Sequence, residues 1–131
     1  MIRPVSRTIH LDTSFLIRCL VVGSAEAAKI REWLRRGRRL AVSAYSWGEF
    51  LCGPLGGIEE ETARRIAYRH LPVDTTEVTE AARLFNLGGR RRGSFPDCII
   101  AATAIIHGAE LATSNVKDFE RFFDAGLELA E

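Results

Sequence analysis

Apolar residues follow two patterns that alternate along the chain. Short apolar runs, typical of buried strands, occupy residues 8–12, 38–43, 71–73 and 110–113. Each is followed by a segment whose apolar residues recur every three or four positions, which is the spacing of a helix packed on a core. Parallel strands need such crossover helices, so the alternation predicts a parallel sheet covered on both faces.

The predicted helices cover most of the remaining chain. They occupy residues 13–21, 24–37, 46–51, 59–69, 75–85, 94–106 and 115–123, with Ser43 or Ser46 as the cap of the third. Residues 127–129 are a candidate edge strand. We therefore predict an α/β fold in one domain over residues 1–131, a three-layer α/β/α sandwich with a central, mostly parallel sheet of four to five strands.

The segment 94–106 is predicted to be the central helix of the core. Residues 98–106 carry no charge and combine alanine with isoleucine, so the helix is expected to be buried on most sides. Ser94 is the predicted N-cap, Pro96 fits a first turn, and Asp97 falls three residues after the cap. Asp97 has two interpretations, a capping carboxylate or a member of an acidic site.

Composition places few limits on function. Hydrophobic residues make up 47% and charged residues 27% of the 131, which is ordinary for a globular protein. The longest uncharged apolar run is too short to cross a bilayer, and the amino terminus lacks the apolar stretch of a signal peptide. We therefore expect a cytoplasmic protein without membrane contact. Cys19, Cys52 and Cys98 share no metal-binding spacing and are expected to be core residues, as is His10 with its hydrogen bonds satisfied.

Basic residues are clustered, although the net charge is only +1. Arg90, Arg91 and Arg92 lie in a glycine-rich loop over residues 88–93 that leads directly to Asp97. Arginine suits bidentate contacts with phosphate, so the loop is a candidate RNA contact. A solvated loop tip is the alternative.

Single acidic residues stand at the edges of the apolar segments. Asp12 ends the first strand, Glu49 lies inside the helix after the second, Asp97 begins the central helix, and Asn115 and Asp118 follow the last main strand. Ligands of open parallel sheets collect beyond the carboxyl ends of the strands, so these side chains are predicted to converge. Oxygen ligands without His or Cys favour Mg²⁺ or Mn²⁺, and phosphodiester hydrolysis is the expected reaction.

Four segments resemble the motifs of PIN domains, in order and across nearly the whole chain. They are LDTSFL (residues 11–16), SWGEF (46–50), DCIIAATA (97–104) and LATSNVKDF (111–119). The sequence is most similar to the VapC-type toxin ribonucleases of toxin–antitoxin modules. The resemblance implies a Mg²⁺-dependent endoribonuclease, with Mn²⁺ as an alternative ion, that acts on RNA, forms a homodimer and is blocked by a VapB-type antitoxin.

The resemblance also assigns roles to individual residues. It places Asp12, Glu49 and Asp97 on the metal. Ser14, two residues after Asp12, is a candidate to hydrogen-bond a ligand or a water, with capping of the first helix as the alternative, and Thr113 is a second candidate for a supporting role. The chain departs from the family where many PIN domains carry a fourth Asp, because Asn115 stands there and Asp118 follows one helical turn later. Asn115 and Asp118 are therefore the two alternative candidates for the fourth position of the site. The departure also leaves open a catalytically silent module that uses its acidic pocket to hold a partner protein.

Overall fold

Parallel strands form one sheet in the computed structural model, which describes residues 7–54 and 56–131. Within those residues the sheet has four strands in the order β3-β2-β1-β4: β1 (Ile9–Leu11), β2 (Leu40–Ser43), β3 (Arg69–Leu71) and β4 (Glu110–Ala112). Because β1 pairs with both β2 and β4, the residue that follows β1 lies at the middle of the sheet edge. The predicted parallel α/β/α fold is confirmed.

Helices connect the strands on both faces of the sheet. In chain order they are α1 (Thr13–Cys19), α2 (Ala25–Arg35), α3 (Ala44–Leu51), α4 (Gly57–Ile66), α5 (Thr75–Leu87), α6 (Phe95–Ile106) and α7 (Val116–Phe119), followed by a 3₁₀ helix (Glu120–Ala125). None of the helices in the described part of the chain is long and apolar enough to cross a membrane. The expectation about a signal peptide concerns mainly residues 1–6, which lie outside that part.

Apolar cores lie on the two faces of the sheet. Ile9, Leu11 and Val42 belong to one core, and Leu111 belongs to the other, which is built around α6. Strand residues alternate between faces, so both faces must be covered for the short strands to be buried. Seven residues of α6, from Cys98 to Ala104, are buried, which confirms its predicted place in the core.

Two of the predicted strands differ from the structure. The third strand is Arg69–Leu71 rather than residues 71–73, because Pro72 has no N–H to donate to a ladder and Leu71 already pairs with Ser43. Residues 127–129 form only an isolated bridge, in which Leu129 lies beside Leu111. The apolar pattern misplaced β3 because Arg69 and His70 are exposed on an edge strand.

Several side chains differ from their predicted environment. Cys52 is exposed at the end of α3, whereas it was expected in the core. The apolar pattern of the last predicted helix also predicts that Phe119, Phe122 and Phe123 face the core, but Phe123 is 41% exposed. His10 is fully buried as expected, but neither ring nitrogen has a hydrogen-bond partner among the described residues. Burial, with a smaller contribution from His107, lowers the pKa of His10 to about 3, so the ring is neutral.

Candidate active site

Asp12 lies at the junction of β1 and α1, where it has two functions. Its backbone N–H donates to Ala112 on β4 at 3.0 Å, and its side chain accepts from the N–H of Phe15 at 2.8 Å as the N-cap of α1. Ser14 is therefore not the cap; its hydroxyl donates to Asp12 Oδ1 at 2.8 Å. The Asp12 carboxyl is only 3% exposed and sits at the middle of the carboxyl edge of the sheet.

Burial makes Asp12 harder to ionise. Desolvation raises its pKa, hydrogen bonds from Thr113, Phe15 and Ser14 oppose the rise, and the charge of Glu49 adds to it. Thr113, one of the predicted supporting residues, therefore interacts with Asp12. A bound cation would favour the ionised form of this carboxyl.

Glu49 reaches the same edge from α3. Ser43, the last residue of β2, caps that helix by accepting from the N–H of Ser46 at 3.0 Å, which settles the choice between the two predicted caps. Glu49 Oε1 accepts from the Thr13 hydroxyl at 2.7 Å. Glu49 is half-buried rather than fully exposed. The helix that follows β2 thus brings Glu49 to the start of α1.

Tyr45 is a site residue that sequence reasoning missed. Its hydroxyl is hydrogen-bonded to Glu49, and burial, then the charges of Glu49 and Asp97, raise its pKa. Tyr45 precedes Glu49 by four residues, so the two lie on one face of α3. That spacing is the signal by which the sequence could have indicated Tyr45.

Asp97 occupies the first turn of α6 but takes no part in a cap. Ser94 is the N-cap residue of α6, as predicted, but its backbone angles are helical and its side chain makes no capping hydrogen bond. Its hydroxyl donates instead to the Arg91 carbonyl at 2.6 Å. Burial raises the pKa of Asp97, and the charge of Asp118 raises it further, while Arg121 lowers it. The charges of Asp12 and Glu49 also raise it.

These interactions join four carboxylates from four parts of the chain into one electrostatic cluster: Asp12, Glu49, Asp97 and Asp118. Within residues 7–54 and 56–131, no three Asp, Glu, His or Cys side chains are arranged to hold an ion as they stand. Mg²⁺ commonly takes one or two carboxylates and completes its shell with water, so the all-oxygen donor set fits this ion.

The two candidates for the fourth position differ in their surroundings. Asn115 is exposed at the start of α7, where its backbone N–H donates to the Thr113 hydroxyl at 3.0 Å. Asp118 is also exposed, but its charge raises the pKa of Asp97, and both residues line one small cleft. The structure thus brings Asp118, rather than the amide of Asn115, to Asp97 as a charged neighbour.

A chain of hydrogen bonds connects Asp12 to α2. The Ser114 N–H donates to Ser14 Oγ at 3.3 Å, and the Ser114 hydroxyl donates to Glu26 Oε2 at 2.8 Å. The bond from Ser114 lowers the pKa of Glu26 and keeps it ionised. These hydrogen bonds fix Ser14 between Asp12 and Ser114. The sequence did not reveal the contact of Ser114 with Glu26, because the two residues are far apart in it.

The arginine loop lies beside Asp97, as the sequence predicted. Arg91 and Arg92 line a cleft of about 90 Å³ together with Asp97 and Asp118. Arg90 differs, because its backbone turns into the left-handed region and its side chain donates to Asn86 at 3.1 Å. Two of the three predicted arginines therefore face the site.

A parallel α/β/α sheet with a carboxylate cluster at its carboxyl edge defines the class of this protein. The sequence model of the PIN domain family matches residues 9–123, so the chain belongs to the PIN domain family. A 61-residue segment is 46% identical to Ribonuclease VapC1 of Rickettsia felis and covers 45% of this chain and 44% of that protein. The chain thus matches less than half the length of this relative.

Solved structures show the same fold. VapBC2 from Rickettsia felis, bound to a DNA fragment from its promoter, has a TM-score of 0.69 at 20% identity, covering 94% of this chain and 97% of that one. A toxin–antitoxin complex from Klebsiella pneumoniae has a TM-score of 0.63 at 25% identity, covering 86% of this chain and 90% of that one. Both similarities extend over most of the sheet and helices described above.

Proposed function

We propose that this protein is a Mg²⁺-dependent endoribonuclease, with Mn²⁺ as an alternative ion, and the toxin component of a toxin–antitoxin system. Asp12, Glu49 and Asp97 would hold the ion, with Asp118 as the fourth carboxylate. The observation that carries the proposal is the mutual interaction of these acids, two of which have raised pKa values. Membership in the PIN family and the similarity of a segment to a ribonuclease support it.

A bound divalent ion would lower the pKa of a ligated water and offset charge on the phosphodiester. Hydrogen-bond donors of the protein orient the carboxylates that would hold the ion. Ser14 and the Phe15 N–H fix the Asp12 carboxylate, while Thr13 and Tyr45 fix that of Glu49. Donors that hold a carboxylate in place before the ion arrives reduce the cost of ordering the site.

Asp97→Asn tests the catalytic assignment. The amide keeps the size of the side chain and removes one charge, so the fold is expected to stay intact while cleavage of total bacterial RNA with Mg²⁺ or Mn²⁺ and inhibition of growth are lost. Glu61→Gln, on an exposed helix face, is the matched control and should cleave like the parent. Circular dichroism checks the fold. An Asp97→Asn protein that cut RNA as well as the parent would contradict the proposal.

The proposed substrate is RNA with single-stranded loops, because unpaired bases can be splayed into a protein cleft. The proposed partners are a second copy of the chain and a VapB-type antitoxin whose carboxyl-terminal segment covers the site. The 25% identical toxin–antitoxin complex supports the second partner. Coexpression with the product of an adjacent small reading frame, followed by light scattering, tests both; a monomer that captures no such product would contradict the assembly.

A silent binding module is the second candidate, and one contact favours it. An Arg121 nitrogen lies 3.8 Å from Asp97 Oδ2, so the acidic pocket accommodates a guanidinium group. A partner's arginine would then be the natural ligand. Parent protein that cleaves no RNA with either ion, yet loses partner binding on Asp97→Asn, would favour this function over the nuclease.

A further inference from the structure

We propose that the cleft between α5 and the 3₁₀ helix is a nucleotide-binding subsite for the RNA residue next to the cleaved bond, with Arg121 on its phosphate. This inference rests on the proposed function. Arg121 belongs to both this cleft and the smaller one that contains Asp97, so it joins the two. A strand crossing the acidic cluster would meet Arg121 as it leaves.

Arg121 has unused hydrogen-bonding capacity beside the site. Its Nε is buried, and no group in the described residues accepts from it. Its closest carboxylate contact, with Asp97, is long at 3.8 Å. A guanidinium carries five N–H donors in a planar fork that matches phosphate, so Arg121 retains donors for a phosphodiester.

Phe122 holds the Arg121 side chain in place. The guanidinium carbon lies 4.6 Å from the centroid of the Phe122 ring, and only a quarter of the Arg121 side chain is exposed. Stacking on an aromatic face restricts the long side chain before any ligand binds. Arg121 is thus oriented in advance, unlike the exposed arginines of α4, which pair with Glu60 and Glu61.

The cleft next to Arg121 combines apolar and charged walls. It measures about 500 Å³, and its walls include Arg83, Leu84, Leu87, Arg121, Phe122 and Asp124. Leu87 is 72% exposed, which leaves apolar surface open to a ligand. A cleft with an apolar wall and a cation at the end facing the acids is complementary to a nucleotide, whose base is flat and whose phosphate is negative.

RNA is favoured over a protein segment because of the neighbouring charges. Arg91, Arg92 and Arg121 line one small cleft, and they are the cations that would follow a phosphate backbone past Asp97. Asp124, on the wall of the larger cleft, can accept from an exocyclic amino group of a base. An acidic peptide would use the arginines but would leave the apolar wall without a flat partner.

Fluorescence anisotropy with a labelled, mixed-sequence single-stranded RNA of about ten nucleotides tests the subsite. EDTA is present, so the measurement does not depend on cleavage. Arg121→Ala is expected to weaken binding about tenfold and to reduce the slope of log K against log salt by about 0.7, the loss of one phosphate contact. Arg65→Ala, which removes an exposed, paired arginine of α4, is the control and should bind like the parent.

Leu87→Glu tests the apolar wall without disturbing the core, because the side chain is exposed. It is expected to weaken binding of the same RNA several-fold, whereas Val22→Glu, at a fully exposed position between α1 and α2, should not. If Arg121→Ala and Leu87→Glu bind like the parent while the parent cleaves RNA with Mg²⁺, the subsite is wrong and the nuclease stands. If both weaken binding but the parent never cleaves, the cleft binds a nucleotide of RNA but has no cleaved bond beside it, and the nuclease fails.

Discussion

Neighbouring hydroxyl groups orient two of the proposed ligands, Glu49 and Asp12. The Thr13 hydroxyl donates to one carboxylate oxygen of Glu49 at 2.7 Å, and the Tyr45 hydroxyl also bonds the group. Asp12 is held in the same manner by Ser14. Such contacts restrict the carboxylates to a narrow range of positions. Their removal should therefore lower metal affinity more than it lowers the free energy of unfolding.

Tyr45→Phe removes one of these donors and leaves the ring. The Glu49 carboxylate becomes less restricted, so affinity for Mn²⁺ is expected to fall about tenfold with little change in the free energy of unfolding. Isothermal titration calorimetry measures the affinity. Tyr68→Phe is the matched control, since Tyr68 is 75% exposed. Equal affinities for the two variants would contradict the role of Tyr45.

Asp118→Ala and Asn115→Ala separate the candidates for the fourth position. Because the charge of Asp118 acts on Asp97, its removal is expected to weaken Mn²⁺ binding. Asn115 is exposed and contributes its backbone N–H, which alanine keeps, so its replacement should change the affinity much less. The same titration measures both. A larger loss with Asn115→Ala would reverse the assignment.

Asp12→Asn gives a pH-dependent change in stability. Burial raises the pKa of Asp12 above its ordinary 3.8, so the folded state binds more protons than the unfolded one between that value and the raised one. The parent therefore loses stability as pH rises through this window, while asparagine, which also caps helices, does not titrate. Denaturation in EDTA should show the stability of the variant rising relative to that of the parent as the pH increases above about 4; a constant difference would contradict the pKa shift.

Helix starts place the proposed ligands at the sheet edge. Asp12 caps α1, Ser43 caps α3 as the chain leaves β2, and Asp97 lies in the first turn of α6. Each cap satisfies backbone donors that the first turn leaves unpaired. The loss of a cap should therefore affect both the stability of its helix and the position of any ligand that the helix carries.

Ser43→Ala tests this link. It leaves the Ser46 N–H without its buried acceptor and is expected to lower the free energy of unfolding by about 1 to 2 kcal/mol. Mn²⁺ affinity should fall as well, because α3 carries Glu49. Ser24→Ala removes the comparable cap of α2, which carries none of the four carboxylates. It should reduce stability by a similar amount and affinity much less, because α2 reaches Asp12 only through Glu26, Ser114 and Ser14. Denaturation measures the stability of both variants, and titration measures their Mn²⁺ affinity. Equal losses of affinity in the two variants would contradict the link.

The elements most accurately predicted were those with strong patterns. The strands β1, β2 and β4 are mostly apolar and buried except at Glu110, and α6 combines a long apolar run with a proline near its start. The edge strand β3 was displaced because two of its three residues are exposed and its position depends on pairing with β2. Pairing between distant segments leaves no local signal in the sequence.

Parallel topology explains why the acidic cluster was predictable. Once strands alternate with helices, residues that follow the strands share one edge, so the order of the elements indicates the edge at which Asp12 and the helix of Glu49 lie. Asp97 begins α6, which follows α5 rather than a strand, so order alone does not fix its position. Tyr45 and Arg121 were missed because an isolated tyrosine and an isolated arginine resemble any surface residue until the fold places them. The hydrogen bond of Ser114 with Glu26 was hidden for the same reason.

The charge distribution over the molecule suits a local RNA site rather than a general one. With a net charge of +1, no long-range field attracts nucleic acid, and the cations near the acids are few: Arg91, Arg92 and Arg121. The four carboxylates would repel a phosphate backbone in the absence of a cation. A bound divalent ion is therefore expected to strengthen RNA binding beyond the affinity that the arginines provide in EDTA.

The most direct test is a Mn²⁺ titration of chelator-treated protein in which ion binding and RNA cleavage are measured on the same samples. We predict that both rise over the same range of Mn²⁺ concentration and that Asp97→Asn removes both while remaining folded. Cleavage that persists in EDTA, or a parent protein that binds no Mn²⁺, would contradict the proposal that these carboxylates form a metal-dependent active site.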